Sequence, residues 1–379
     1  MNRAPWAIRV AFLTAGIGVG TLYSRVADIK ERLQISNAQV GNALFVSAIG
    51  VLVAIQLGGR LCASYGSRKT AVYGSFLASG SIAFFGFSDS YRMLLITLFF
   101  FGFLNAIQDI GMNTHASTLE HETNKRYMSG FHAVFSIGAL IGGAIGGIAS
   151  QFEITLKTHA VWMGIALFIL NFSARNWWMP SEIDIHEFKK EGKAPKSFIF
   201  IFIGLLGLIS TINEGAAGDW GGILARETFG AHGFLSALPY IVYNLAMVIG
   251  RFSGDRLATK FGAMKILFSA GLIAGIGLSG GLIIGTIYGQ IFGWLAIGAG
   301  MSVVIPMVFS LAGEIARTRN GIAPSQAVAI ASGISYLGFM GGPPIMGYLS
   351  SALTLRWAML IPAALAIFLA FGSQRVKHS

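Results

Sequence analysis

Apolar runs of about 20 residues, the length an α-helix needs to cross the hydrocarbon core of a bilayer, recur from one end of this chain to the other. Few folds accommodate that pattern. Twelve such stretches can be read, near 7–27, 38–59, 70–88, 93–117, 128–150, 159–178, 197–217, 234–255, 264–285, 287–312, 322–350 and 354–373. With 54% of 379 residues hydrophobic and 11% charged, the composition lies outside that of soluble domains. The expected fold class is an all-α membrane protein with twelve transmembrane helices.

At the start, MNRAPWAIRVAFLTAGIGVG, a basic flank precedes an apolar stretch, as in a secretory signal. The apolar part runs on to about Ala27 without a small-residue cleavage site, so it reads as a retained first helix. The formal charge of +11 is settled by its distribution. If the amino terminus is cytoplasmic and twelve spans follow, 20 of the 27 Lys and Arg residues fall on the cytoplasmic side, the asymmetry of the positive-inside rule. Both termini are therefore expected in the cytoplasm, and the basic excess is topological, which leaves no nucleic-acid reading.

Enzyme signatures are missing. One cysteine, Cys62, allows no intrachain disulfide and no multi-cysteine metal site. The sequence lacks a G-x-x-x-x-G-K-[ST] phosphate loop, a His/Cys spacing for a metal and a recognisable intramembrane protease constellation. A non-enzyme without metal or cofactor is expected.

Between the sixth and seventh spans lies the one long polar stretch, RNWWMPSEIDIHEFKKEGKAPKS at 175–197. It divides the chain into a six-helix bundle over 1–178, a cytoplasmic linker over 179–196 and a second six-helix bundle over 197–379. The halves echo one another. Laying GGRLCASYGSRK (58–69) over GDRLATKFGAMK (254–265) matches five of twelve positions: Gly58 with Gly254, Arg60 with Arg256, Leu61 with Leu257, Gly66 with Gly262 and Lys69 with Lys265. Each copy follows the second helix of its half. A duplicated design of this kind, with its binding site between the repeats, suits alternating access, so Gly58, Arg60, Gly66, Arg68, Gly254, Asp255, Arg256 and Gly262 are candidate gating positions.

Charges within the bilayer cost about 2.5 to 3.5 kcal/mol each on insertion scales, so they mark function. In span four, Asn105, Asp109 and Asn113 recur every four residues and form a polar stripe, flanked by Gln108 and Met112, on a helix otherwise built from Leu, Ile and Phe. The stripe is either a substrate and proton path or interhelical packing glue. In span five, His132 and Ser136 share a face. If spans four and five pair around the 119–126 loop, Asp109 and His132 come within a turn of each other and could exchange a proton near neutral pH; the alternative is a histidine held by a backbone carbonyl. Glu214, Asp219 and Trp220 fall at the outer end of span seven, where an aromatic face beside two acids suits a sugar or polyol, or where an interfacial Trp sits with solvated acids. Asn244 in span eight is a further candidate ligand, and Arg25 is expected at the membrane interface.

The loop at 58–69 resembles the signature G-x-L-x-D-R-x-G-R-R between helices two and three of the major facilitator superfamily. Ala63 stands at the aspartate position, and Thr259 at its counterpart in the second copy. In the family that aspartate ties neighbouring helices in one conformational state; here Arg60, Arg68, Asp255 and Arg256 are the candidate substitutes. The runs QDIGMNTHASTLE and GFHAVFSIG resemble helices four and five of fucose-permease-like sugar:proton symporters, and more closely those of a bacterial group that includes rhizopine-type permeases; the E-G-A-x-x-D-W run at 214–220 is similar to that same group. The resemblance implies two pseudo-symmetric six-helix bundles in a bacterial inner membrane, with Asp109 matching the fourth-helix acid of proton coupling and His132 the position of an amide near the sugar. Tyr23 occupies the place of a first-helix acid in that pattern. The expected function is proton-coupled uptake of a sugar, polyol or inositol-like solute by a monomer. An exporter of the same fold and a non-transporting ligand sensor are the alternatives.

Overall fold

The structure, a computed structural model, describes residues 3–125, 127–180, 198–318 and 324–376, and every regular element in them is helical. Among the described residues, eleven helical segments are long and apolar enough to cross a membrane. The twelfth expected span is α3 (Ser67–Phe85), whose 19 residues begin with Arg68 and Lys69 in the first turn and are rich in serine and glycine. Its hydropathy is diluted, while its length still suits a crossing of about 28 Å at 1.5 Å per residue.

Two compact units divide the chain, Met1–Lys190 with His232–Ala237 and Glu191–Ala231 with Leu238–Ser379. Most of the expected linker, 181–196, lies outside the described residues. The first unit holds α1 (Ala4–Leu33), α2 (Asn37–Tyr65), α3, α4 (Tyr91–Thr123), α5 (Met128–Gln151) and α6 (Leu156–Ala174). Start signals in the sequence explain several boundaries. Ser36 and Gln39 form a reciprocal capping box at α2, and Ser90 and Thr155 cap α4 and α6, each satisfying an otherwise orphaned backbone donor.

Small residues decide which helices meet. A β-carbon on Gly16 or Gly20 of α1 would stand 2.1 or 2.3 Å from the carbonyl oxygens of Phe135 or Ala139 of α5, and one on Gly138 or Gly142 would collide with the backbone of α1. The two backbones therefore touch, as small-xxx-small faces allow. By the same means α4 lies against α2 through Gly102 and against α3 through Gly111. The expected pairing of spans four and five is not met: α5 runs along α1, and α4 is packed chiefly on α2 and α3. Adjacency in sequence was the wrong guide because the glycine faces point elsewhere.

In the second unit, α7 (Phe198–Gly215) continues through a π-helical turn, Ala216–Trp220, into α8 (Gly221–Phe229). There follow α9 (Phe234–Phe261), whose residues up to Ala237 belong to the first unit, α10 (Ala263–Ile284), α11 (Ile287–Met301), α12 (Val304–Thr318), α13 (Pro324–Leu353), α14 (Leu355–Ala358) and α15 (Leu360–Arg375). Within this unit α7 packs on α13, and α10 lies between α11 and α15. Span seven, expected to end near 217, thus runs to Phe229.

Candidate functional site

In the first unit the span-four stripe separates into two faces. Gln108, which the sequence placed at the edge, is the residue that points inward: its Nε2 donates to the Ala11 carbonyl at 3.0 Å and approaches Thr14 Oγ1 at 3.5 Å. Thr14 Oγ1 lies 3.1 Å from Asn171 Oδ1, and Asn171 Nδ2 donates to Ser79 Oγ at 3.3 Å. This buried chain joins α4, α1, α6 and α3, and it is packing glue of the kind that satisfies polar groups away from water. Asn105, part-buried, donates to the Phe101 carbonyl of its own helix at 2.8 Å and reaches Ser81 Oγ of α3 at 3.5 Å.

Asp109 occupies the other face and is exposed. Asn113, one turn on, donates to both the Asp109 carbonyl and its Oδ1, each at 2.9 Å. One amide thus orients the carboxylate from its own helix. His132 stands edge-on to Phe12 of α1, with centroids 5.2 Å apart, and Ser136 is buried and donates to the His132 carbonyl at 3.2 Å. Because α5 follows α1, α4 and α5 meet only marginally, and the hydrogen bond to the Asp109 carboxylate comes from Asn113 of its own helix.

In the second unit the π turn gathers the candidate acids. A π turn adds a residue and rotates the downstream side chains by about 100° relative to an uninterrupted α-helix. Trp220, expected at the mouth as a stacking platform, is instead fully buried, and its indole N–H has no hydrogen-bond partner among the described residues. Asp219 is 3% exposed, and no described residue bonds to its carboxylate. Glu214, half-buried one turn earlier, lies near Arg251, and Tyr240 lies near both Glu214 and Asp219. Asn244 donates to the Tyr240 carbonyl at 2.9 Å.

Two residues missed in the sequence complete this cluster. Gln290 of α11 donates to the Gly221 carbonyl at 3.0 Å, leaving its Oε1 without a partner among the described residues. Trp294, one turn on, is also fully buried; its Nε1, without a hydrogen-bond partner among the described residues, lies toward Gly221, 3.6 Å from where a β-carbon there would stand. Their i, i+4 spacing on one face was the available signal, obscured because amides and tryptophans in apolar spans are common packing residues.

The repeated loops share one backbone geometry. Gly66 has φ 84° and ψ 151°, and Gly262 has φ 87° and ψ 141°, a region essentially restricted to glycine. Their amides bond the carbonyls of Cys62 and Ala258 at 2.9 and 2.8 Å, and their carbonyls accept from Thr70 and Ile266 at 3.3 and 3.2 Å. Internal duplication is thus present at the level of torsion angles.

A sequence profile of the Major Facilitator Superfamily matches residues 10–324. The chain belongs to this superfamily. It is 30% identical over 378 residues to the uncharacterized transporter y4wD of Sinorhizobium fredii, covering 99% of this chain and 98% of that one. It is 23% identical to the membrane protein MosC of Rhizobium meliloti, covering 97% and 88% respectively. Among solved structures, the fold is similar to the nucleoside transporter NupG (TM-score 0.72, 12% identity, 100% of both chains). It is also similar to a bacterial homologue of the lysosomal transporter Spinster (TM-score 0.74, 13% identity, 99% of this chain and 96% of that one). The protein is a multi-pass membrane transporter of the major facilitator type.

Against that family background the signature loop is unusual. Ala63, at the aspartate position, is buried, and Arg60, Arg68 and Arg256 make no ion pair among the described residues; the Asp255 side chain lies outside them. Gly58 and Gly254 are close-packed, against Ile110 and Val303. A neutral tie stands nearby. The Met179 amide donates to His115 Nε2 at 3.2 Å, so that nitrogen is an acceptor and the ring proton sits on Nδ1, 2.7 Å from Ser67 Oγ. With Trp178 edge-on at 4.9 Å, His115 of α4 joins the start of α3 to the chain leaving α6.

Proposed function

We propose that this transporter takes up a small polar solute, a sugar, polyol or inositol-like compound, in symport with protons across the bacterial inner membrane. The observation that carries the reading is the exposed Asp109 carboxylate on a membrane-spanning helix. Lipid over that face would cost several kcal/mol, whereas water or a polar solute over it costs nothing. Protonating Asp109 removes the charge and lets the loaded carrier reorient, while deprotonation on the other side releases the proton. Asn113 holds the carboxylate in place, and Glu214 with Asp219 offers acceptors for solute hydroxyls. The resemblance of spans four and five to sugar:proton symporters and rhizopine-type permeases supports the solute class. The basic residues concentrated on one side of the twelve spans support cytoplasmic termini.

The test uses the purified chain in liposomes with an imposed pH gradient and a panel of labelled sugars, polyols and organic cations. Gradient-driven accumulation of a polyol or sugar, abolished by Asp109→Asn, is the expected result. Expulsion of cations would favour an exporter, and ligand binding without flux a sensor.

A further inference from the structure

On the outer surface of the first unit, α3 and α6 run antiparallel. Gly86 lies against Ala160, Gly164 against Ser79 and Ala83, and Phe76 against Phe168 and Phe172, with ring centroids 5.0 and 6.2 Å apart. Carried on toward the end where α3 starts and α6 stops, this register brings Lys69, in the first turn of α3, level with Arg175, the C-cap of α6. Helical spacing aligns the rest of the surface. Lys69, Tyr73 and Phe76 follow i, i+4, i+7 on α3, and Phe168, Phe172 and Arg175 follow the same spacing on α6.

The rings form a connected column. Phe168 and Phe172 are stacked at 6.1 Å, and Tyr73 stands edge-on to Phe76 at 6.5 Å. Tyr73, Phe168 and Phe172 are 63%, 43% and 45% exposed, so the column faces outward rather than into the core. From Lys69 to Phe76 it descends about 10 Å at 1.5 Å per residue, against the ~15 Å depth of one hydrocarbon leaflet.

An arginine at a membrane helix end ordinarily extends its head into water. Arg175 instead lies over the Phe172 ring, its Cζ 3.6 Å from the centroid, and its Nη1 donates to the Phe172 carbonyl at 2.7 Å. Among the described residues no carboxylate pairs with Arg175 or Lys69, and neither α3 nor α6 contains an acidic residue. The N–H groups that remain on a guanidinium fork match two oxygens of a phosphate, and Lys69 adds a second positive charge from the neighbouring helix.

We propose that the α3–α6 face of the first unit binds an anionic phospholipid, its phosphodiester held by Arg175 and Lys69 and one acyl chain laid along Tyr73, Phe76, Phe168 and Phe172. Basic sites between membrane helices recognise such headgroups, and the aromatic column favours a phosphate that carries a chain over a free one. On the topology proposed above, the lipid belongs to the cytoplasmic leaflet. The site is independent of Asp109 and of the solute carried.

The experiment uses the full chain in phosphatidylcholine nanodiscs containing a small fraction of phosphatidylglycerol with a photoactivatable acyl chain, and maps the labelled residues by mass spectrometry. Nanodiscs present the same lipids in both leaflets, so the readout does not depend on orientation. Labelling is expected to concentrate in 69–76 and 168–175 and to fall about tenfold when Lys69→Gln and Arg175→Gln are combined. It is expected to be unchanged when Lys125→Gln and Lys260→Gln, two exposed lysines elsewhere, are combined. The same chain on a phosphatidylcholine headgroup is expected to label these segments no more than other outward-facing helices. Equal labelling by the two headgroups, label spread evenly over the outward-facing helices, or labelling that survives in the Lys69/Arg175 variant overturns the proposal. Competition by inorganic phosphate at constant ionic strength would assign the two cations to a free anion and overturns it as well.

Discussion

At the residue scale, the polar side chains on the spans of the first unit divide into those that tie helices together and those left available. His115 is a tie: its Nε2 accepts the Met179 amide and its Nδ1–H meets Ser67. Truncation to alanine leaves a buried N–H without a partner, a loss of about 1–3 kcal/mol. His115→Ala is expected to lower the melting temperature of the detergent-solubilised protein by several degrees, and unchanged melting would count against the tie. Asp109 is the available group. The sequence made it conspicuous because a carboxylate in an apolar span is costly, and its relation to Asn113 followed from helical spacing alone. The role of Gln108 was not legible, since an amide at the edge of a polar stripe looks alike whether it meets a neighbour or nothing.

At the element scale, the repeated glycines carry the clearest consequence. Gly66 and Gly262 adopt torsions that a β-carbon disfavours by about 1–3 kcal/mol. Alanine at either position is expected to destabilise the junction on its own side, α2–α3 or α9–α10, detectable as faster hydrogen exchange confined to that junction. Acceleration spread evenly over the chain would contradict a local strain. The α1–α5 contact tolerates still less: Gly20→Leu drives a side chain into the Ala139 carbonyl and is expected to abolish monodisperse elution in size-exclusion chromatography. Helix existence was readable from apolar run length, and the loop repeat from its matching letters. The π turn was not, because pattern reading assumes 3.6 residues per turn, and the inserted residue at 216–220 leaves no trace in a stretch as small and apolar as GAAG. Nor was the α1–α5 pairing, since nearly every span carries glycines and only the fold decides which of them face one another.

At the scale of the whole molecule, membership of the major facilitator superfamily rests on the profile match, the full-length relatives and the helical architecture taken together. Topology and coupling are the proposals that remain to be measured. With both termini cytoplasmic, a carboxy-terminal green fluorescent protein fusion is expected to fluoresce and a carboxy-terminal alkaline phosphatase fusion to be inactive; the reverse pair would invert the orientation. The most direct test of the central claim is solute uptake into liposomes under an imposed inward proton gradient, comparing wild type with Asp109→Asn. Accumulation in wild type, reduced in the variant to the level of passive equilibration with solute binding retained, is the expected result. Equal gradient-driven accumulation in both would show that the span-four carboxylate is not the coupling group.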